Sequence, residues 1–149
     1  MHLPSYQIEG SSGFETFEFV SEGPKGAITK RVQYTLTENE DIYNLGFGDV
    51  DPRTGRIDDS VVTNNGDTEM VLATVVKTLM VFSENHPKKW VFAQGSSPAR
   101  TRLYQMGISK YLDEVSTQFE VFGLNGEEFE LFRKGVNYQA YIAKRRESM

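Results

Sequence analysis

The chain has 149 residues, a length that falls within a single domain and suffices for a substantial core. Its 21 acidic and 16 basic residues leave a formal charge of -5, which removes any global electrostatic reason to coat duplex DNA or an anionic membrane. There is no cysteine, so disulfides, thiolate metal sites and cysteine nucleophiles are excluded.

Residues 1–13 open with Met1-His2-Leu3-Pro4-Ser5-Tyr6, which has no basic stretch leading into an apolar one, and end in Gly10-Ser11-Ser12-Gly13. That composition predicts a flexible N-terminal arm, with a single domain over 14–149. No later apolar run approaches the roughly 20 residues that span a bilayer, so the expectation is a soluble, cytoplasmic protein with no membrane partner. Phe17 and Phe19 alternate with glutamates as in a half-buried strand, and Gly23-Pro24-Lys25-Gly26 supplies a turn. The clearest period-two pattern follows, with Ile28, Val32, Tyr34 and Leu36 on one face and Thr29, Arg31, Gln33 and Thr35 on the other. A third strand gathers Tyr43, Leu45 and Phe47, Asp51-Pro52-Arg53-Thr54-Gly55 turns the chain, and a fourth strand is predicted from Ile57 to Thr63.

From Asp67 to Asn85 the period becomes helical, with Leu72, Val75, Val76, Leu79 and Phe82 on one side, Asp67 at the N-cap and Pro87 as the stop. Trp90-Val91-Phe92-Ala93 reads as a central strand buried on both faces, and a second helix is predicted from Pro98 to Ser116. Strands at Phe119–Phe122 and Glu128–Phe132 are joined through Asn125-Gly126, and Tyr138 to Lys144 reads as an edge strand. The predicted fold is therefore α+β, a mixed, largely antiparallel sheet with two helices packed on one side, in the order ββββ-α-β-α-βββ.

A right-handed crossover through the first helix would make the flanking strands parallel and start both helices at one edge of the sheet. Ligands in such sheets sit beyond the carboxyl ends of the strands. The candidate ligand site accordingly joins Asn65, Gly66 and Asp67 to Gly95, Ser96, Ser97, Arg100, Arg102 and Tyr104. Ser97 before Pro98 suits the N-cap and first-turn positions, and a helix start supplied with glycine, hydroxyls and arginines can hold an anion. In the competing structural reading Asp67 caps its own helix and pairs with Arg100 or Arg102, tying two helix ends together. At about 100° per residue the two arginines point about 200° apart, so they do not share one helical face. Tyr104, Ile108, Tyr111, Leu112 and Val115 form the main apolar side of that helix, while Ala99, Leu103, Met106 and Gly107 form a second stripe. The second stripe is either packed within the chain or covered by another copy through Leu103, Met106 and Gly107.

Other chemistry finds little support in the residues. Asp49 to Ser60 departs from a calcium loop, with Arg53 at a ligand position and Ser60 where a bidentate Glu is required. His2 and His86 are the only histidines, so a multi-histidine metal site or a histidine-based triad has little to draw on, and His86 suits a helix C-terminus. No phosphate-binding G-x-x-x-x-G-K-[ST] loop occurs, and Gly46-Phe47-Gly48 lacks the rest of a dinucleotide fingerprint. A metal-assisted phosphoester hydrolase would have to use Asp67 or Asp58. No catalytic residue, metal ligand or cofactor is assigned.

The succession Asn64-Asn65-Gly66-Asp67, Leu72-Ala73-Thr74-Val75, Gly95-Ser96-Ser97 and Arg100-Thr101-Arg102-Leu103-Tyr104 resembles a family of uncharacterised bacterial proteins from about Phe14 onward. Its central part, Ala-Thr-Val in a helix, an apolar strand, small residues and Arg-x-Leu-Tyr, is similar to uncharacterised phage proteins. The resemblance implies that Arg102 and Tyr104 belong to a family motif and implies no activity. The leading expectation is a non-enzymatic binding module for a phosphate-bearing small molecule or a nucleic-acid backbone, followed by a homo-oligomeric structural module and then the hydrolase.

Overall fold

The computed structural model describes residues 4–58 and 63–147. In chain order the elements are β1 (Glu9–Gly10), β2 (Thr16–Gly23), β3 (Gly26–Leu36), β4 (Ile42–Val50), β5 (Ile57–Asp58), α1 (Thr68–Asn85), β6 (Trp90–Ala93), α2 (Pro98–Lys110), α3 (Leu112–Gln118), β7 (Phe119–Asn125), β8 (Glu128–Leu131) and β9 (Tyr141–Arg145). Among the described residues nine strands form one mixed sheet in the order β1-β2-β3-β4-β6-β9-β7-β8, with β5 added to β4. Among the described residues only β4 and β6 pair in parallel, across the connection that contains α1. The other pairings are antiparallel. The architecture is α+β as expected, and no helix among the described residues is long and apolar enough to cross a membrane.

Alternation sets which side of the sheet is dry. Phe17, Phe19, Val32, Tyr34, Tyr43, Leu45 and Phe47 all fall on one face, where they meet Val71, Val75 and Phe82 of α1 in one buried cluster. A second cluster joins Leu72, Val76 and Met80 of α1 to Tyr111, Val115, Phe119, Val121 and Tyr141. Because α1 contributes to both, it is the element that unites the two halves of the sheet into one core. Gly23 and Gly26 pair across Pro24-Lys25, and Gly26 has a φ of +90°, a conformation an L side chain resists.

Three predicted features are corrected. The segment Pro98–Ser116 is two helices instead of one, so the described residues hold three helices: the chain bends at Tyr111, whose φ of -108° and ψ of 21° leave the helical range. The buried Tyr111 ring and its hydroxyl bond to the Glu69 carbonyl hold the bend, which lets Val115 pack with Phe119 and Val121. The last strand is not an edge: β9 lies between β6 and β7, because Ala143 and Tyr141 complete the buried face that Val91 and Val121 begin. The Trp90 strand is central but buried on one face only, with Val91 in the core and Trp90 and Phe92 half exposed on the other side. Of the strand expected at Ile57 to Thr63, only Ile57–Asp58 is seen as strand, and residues 59–62 lie outside the described residues.

Residues 4–10 run against the domain. The Tyr6 ring stacks on Phe19 at 5.7 Å, its backbone N–H donates to Thr74 Oγ1 at 2.9 Å, and Glu9–Gly10 pairs with β2. Tyrosines are a recurrent structural material here, and five of them are held above the ordinary pKa of 10.0. Burial is the leading cause at Tyr6, Tyr34, Tyr43, Tyr111 and Tyr141, and at Tyr6 the bond to the Asp67 carboxylate adds to it. A raised pKa means that the unfolded phenol ionises first, so the contribution of these groups is complete below pH 10.0 and is lost as pH rises from there toward the folded values. Chemical denaturation at about pH 9 and about pH 11 is expected to show a marked loss of stability at the higher pH; equal stability would contradict this.

Candidate functional site

The predicted site residues other than Arg100 and Tyr104 occupy two separate places. The first is a buried polar corner where β2, β3 and β4 meet the start of α1. Here the inward phase of the strands places Ser21, Lys30 and Asp49 under the Asn64–Asp67 turn. Lys30 Nζ lies 2.6 Å from Asp49 Oδ1 and also donates to the Thr63 carbonyl at 3.1 Å. Asp49 Oδ2 accepts the Thr63 backbone N–H at 3.0 Å.

Asp67 occupies the N-cap position of α1, but its side chain makes no capping bond. Instead Oδ2 accepts from the Tyr6 hydroxyl at 2.6 Å and from the Ser21 hydroxyl at 2.5 Å. The expected pairing of Asp67 with Arg100 or Arg102 is therefore replaced by two neutral donors from β2 and the N-terminal segment. Asn65 is equally engaged: Oδ1 accepts the Lys25 N–H at 2.7 Å, and Nδ2 donates to the Gly26 carbonyl at 2.9 Å. Gly66, with a φ of +75°, donates its N–H to Asn64 Oδ1 at 3.0 Å. The polar groups of this turn thus hold the β2–β3 hairpin to α1. A small cavity of about 90 Å³ remains between Lys30, Asn64, Asp67 and Leu103.

The second place is an open cleft of about 440 Å³ at the start of α2. Gly95, Ser96, Ser97, Arg102 and Gln105 line it from the loop and α2, and Asn137, Tyr138 and Gln139 line it from the segment before β9. Local chemistry fixes the helix start: Ser97 Oγ accepts the Arg100 N–H at 3.3 Å, and Pro98 follows in the first turn, where no N–H is missed. Thr101 Oγ1 accepts the Gly95 N–H at 2.9 Å, and a Cβ on Gly95 would stand 2.6 Å from the Arg100 carbonyl carbon, so only glycine allows the loop to lie against the helix. Gln105 binds the far wall, donating to the Val136 carbonyl at 2.7 Å and accepting from the Tyr141 hydroxyl at 2.6 Å.

The two arginines part as the helical wheel requires. Arg102 is exposed in the cleft and makes no ion pair or hydrogen bond among the described residues. Arg100 turns the other way, where Nη2 donates to the Phe47 carbonyl beside Gly48. It lies outside the cleft lining. Tyr104 is half buried and packs on both core clusters, where it helps to line an apolar cavity of about 70 Å³. Gly107 is buried against Leu72 of α1, so its close approach is made within the chain, while Met106 is 47% exposed. Among the described residues no three His, Cys, Asp or Glu side chains converge as a metal-binding group.

Sequence reasoning missed Lys30, Asp49, Ser21, Tyr6 and Gln105. A signal existed for two of them: Lys30 falls on the apolar phase with Val32 and Tyr34, and Asp49 on the phase of Leu45 and Phe47, and the register sets them opposite each other. Residues 2–146 match the Family of unknown function (DUF6934), and the chain belongs to that family. The match takes in the segment that carries Tyr6, ahead of the expected start near Phe14. No curated protein and no solved structure matches the chain.

Proposed function

We propose, since membership of the family assigns no activity, that this chain is a non-enzymatic binding module that receives a phosphate-bearing small molecule or a nucleic-acid backbone in the α2 cleft. The observation that carries this reading is the exposed Arg102 guanidinium one turn into a 13-residue helix, lining an open cleft of about 440 Å³ at that helix's start. Backbone amides at a helix start and the aligned peptide dipoles favour negative charge, and guanidinium matches phosphate geometry. Gly95, Ser96 and Ser97 bring the chain close without a bulky side chain, and the Gln105 tie keeps the opposite wall in place. Asn65, Gly66 and Asp67 support the sheet end and Tyr104 supports the helix; none of these four contacts the ligand in this reading. The same reading takes the protein as a cytoplasmic one of bacterial origin.

Calorimetric titration with nucleotides and short oligonucleotides tests it. A charge-assisted bond is worth about 1.5–3 kcal/mol, so Arg102→Ala is expected to weaken binding by about ten- to a hundredfold. Because Arg102 is exposed, the variant should unfold like the parent. Equal and negligible binding by both proteins would dispose of the anion site.

A further inference from the structure

The face of the sheet that carries no helix has two unlike halves. Over β2 and β3 it is polar, with Glu18 ion-paired to Arg31 at 2.5 Å. Over β6, β9, β7 and β8 it is apolar: the register sets Phe92 beside Ile142, Ile142 beside Phe122, and Phe122 beside Leu131 in one continuous row. Leu131 is 63% exposed and Phe129, on the same strand face, 45% exposed. The next row brings charge, with Lys144 beside Glu120 and Lys144 Nζ 5.6 Å from the Trp90 ring centre. Trp90 lies on this side too, 6.0 Å from the Phe122 ring.

We propose that a second copy of this chain docks on this apolar half-face, about a two-fold axis parallel to the strands and running between β9 and β7. Rotation about that line exchanges β9 with β7 and β6 with β8. Phe92 then meets Leu131 of the second copy, Ile142 meets Phe122, and each contact recurs with the roles reversed. In the neighbouring row Lys144 meets Glu120 of the second copy, so the charges are self-complementary about the same axis that matches the apolar row. Aligned sheets packed in this way interdigitate their side chains at a spacing of about 10 Å. An apolar row with both charge signs beside it fits an isologous contact. Single-stranded nucleic acid could stack on Trp90 and Phe92, but Glu120 on the same face would oppose its phosphates.

This contact is independent of the α2 cleft, and sedimentation of the intact chain tests it. The unmodified protein is expected to sediment as a dimer. Leu131→Glu, at a position too exposed to unsettle the core, is expected to weaken dimerisation by at least about tenfold, with a denaturation curve that matches the parent's at dilutions where both are monomeric. Lys144→Glu is expected to weaken the dimer, and adding Glu120→Lys to restore it. A monomer at all concentrations, a dimer indifferent to Leu131→Glu or to Lys144→Glu, or a double charge exchange that fails to restore dimerisation would overturn the proposal. So would quenching of Trp90 fluorescence by a single-stranded oligothymidylate that Leu131→Glu abolishes.

Discussion

Lys30→Ala is expected to destabilise the protein by about 3–5 kcal/mol, the largest effect of any single charged residue in this fold. Lys30 has no exposed surface, and its ammonium group is held by Asp49 at 2.6 Å and by the Thr63 carbonyl at 3.1 Å. Truncation leaves the Asp49 carboxylate buried with the Thr63 N–H still donating to it but no ammonium beside it, and a buried charge without its counter-ion is costly. The double variant Lys30→Met with Asp49→Leu removes both charges and keeps the volume filled, and it is expected to recover part of the loss. Urea denaturation of the three proteins measures this. A loss below about 1 kcal/mol for Lys30→Ala would mean that the pair is solvated and that the polar corner is not the closed structure described.

Phe82→Ala is expected to cost about 3–5 kcal/mol through cavity formation. Phe82 is fully buried at the end of α1, with its ring centre 4.2 Å from Tyr34, 5.0 Å from Tyr43 and 4.3 Å from His86. These partners come from β3, β4 and the helix C-cap, so they have no common way to collapse into the space. Aromatic pairing adds to the area lost, since the Tyr34 and His86 rings both lie within about 12° of parallel to Phe82. Thermal or urea unfolding that shifts by less than about 1.5 kcal/mol would show that this end of the core is loosely packed.

Local patterns carried most of the fold into the sequence. Period two placed Val32, Tyr34, Leu45 and Phe47 on the dry face, and the helical period of Leu72 to Phe82 located α1 within a residue or two. A crossover predicts a parallel strand just before α1, but Ile57–Asp58 pairs antiparallel with β4, and it is β4, one strand earlier in the chain, that runs parallel to β6. Strand order was not legible either, because pairing partners are distant in the chain: nothing near Tyr141 says that it will stand between Val91 and Val121 and not at an edge. The bend at Tyr111 was hidden for a related reason. Tyr111, Leu112 and Val115 continue the apolar pattern of α2 without a break, and the Glu69 carbonyl that receives the Tyr111 hydroxyl is 42 residues away.

The candidate site was legible in the same uneven way. Ser97 and Pro98 announce a helix start by local chemistry, and they form one. Arg100 and Arg102 look alike in the chain, yet only the second faces the cleft, because Gly48 and the Phe47 carbonyl draw the first toward β4. Asp67 carries the ordinary mark of a capping residue. Its carboxylate turns to Tyr6 and Ser21, 61 and 46 residues away, where two hydroxyl donors outweigh one capping bond.

Amide chemical shifts recorded while inorganic phosphate is added to the labelled protein would show where an anion sits, if it sits anywhere. The shifts are expected to move for Gly95, Ser96, Ser97 and Ala99, to saturate with added phosphate, and to stay still in Arg102→Ala. Saturable movement confined to the Asn65–Asp67 turn, or none at all, would contradict the assignment of the α2 cleft as the place where this protein receives negative charge.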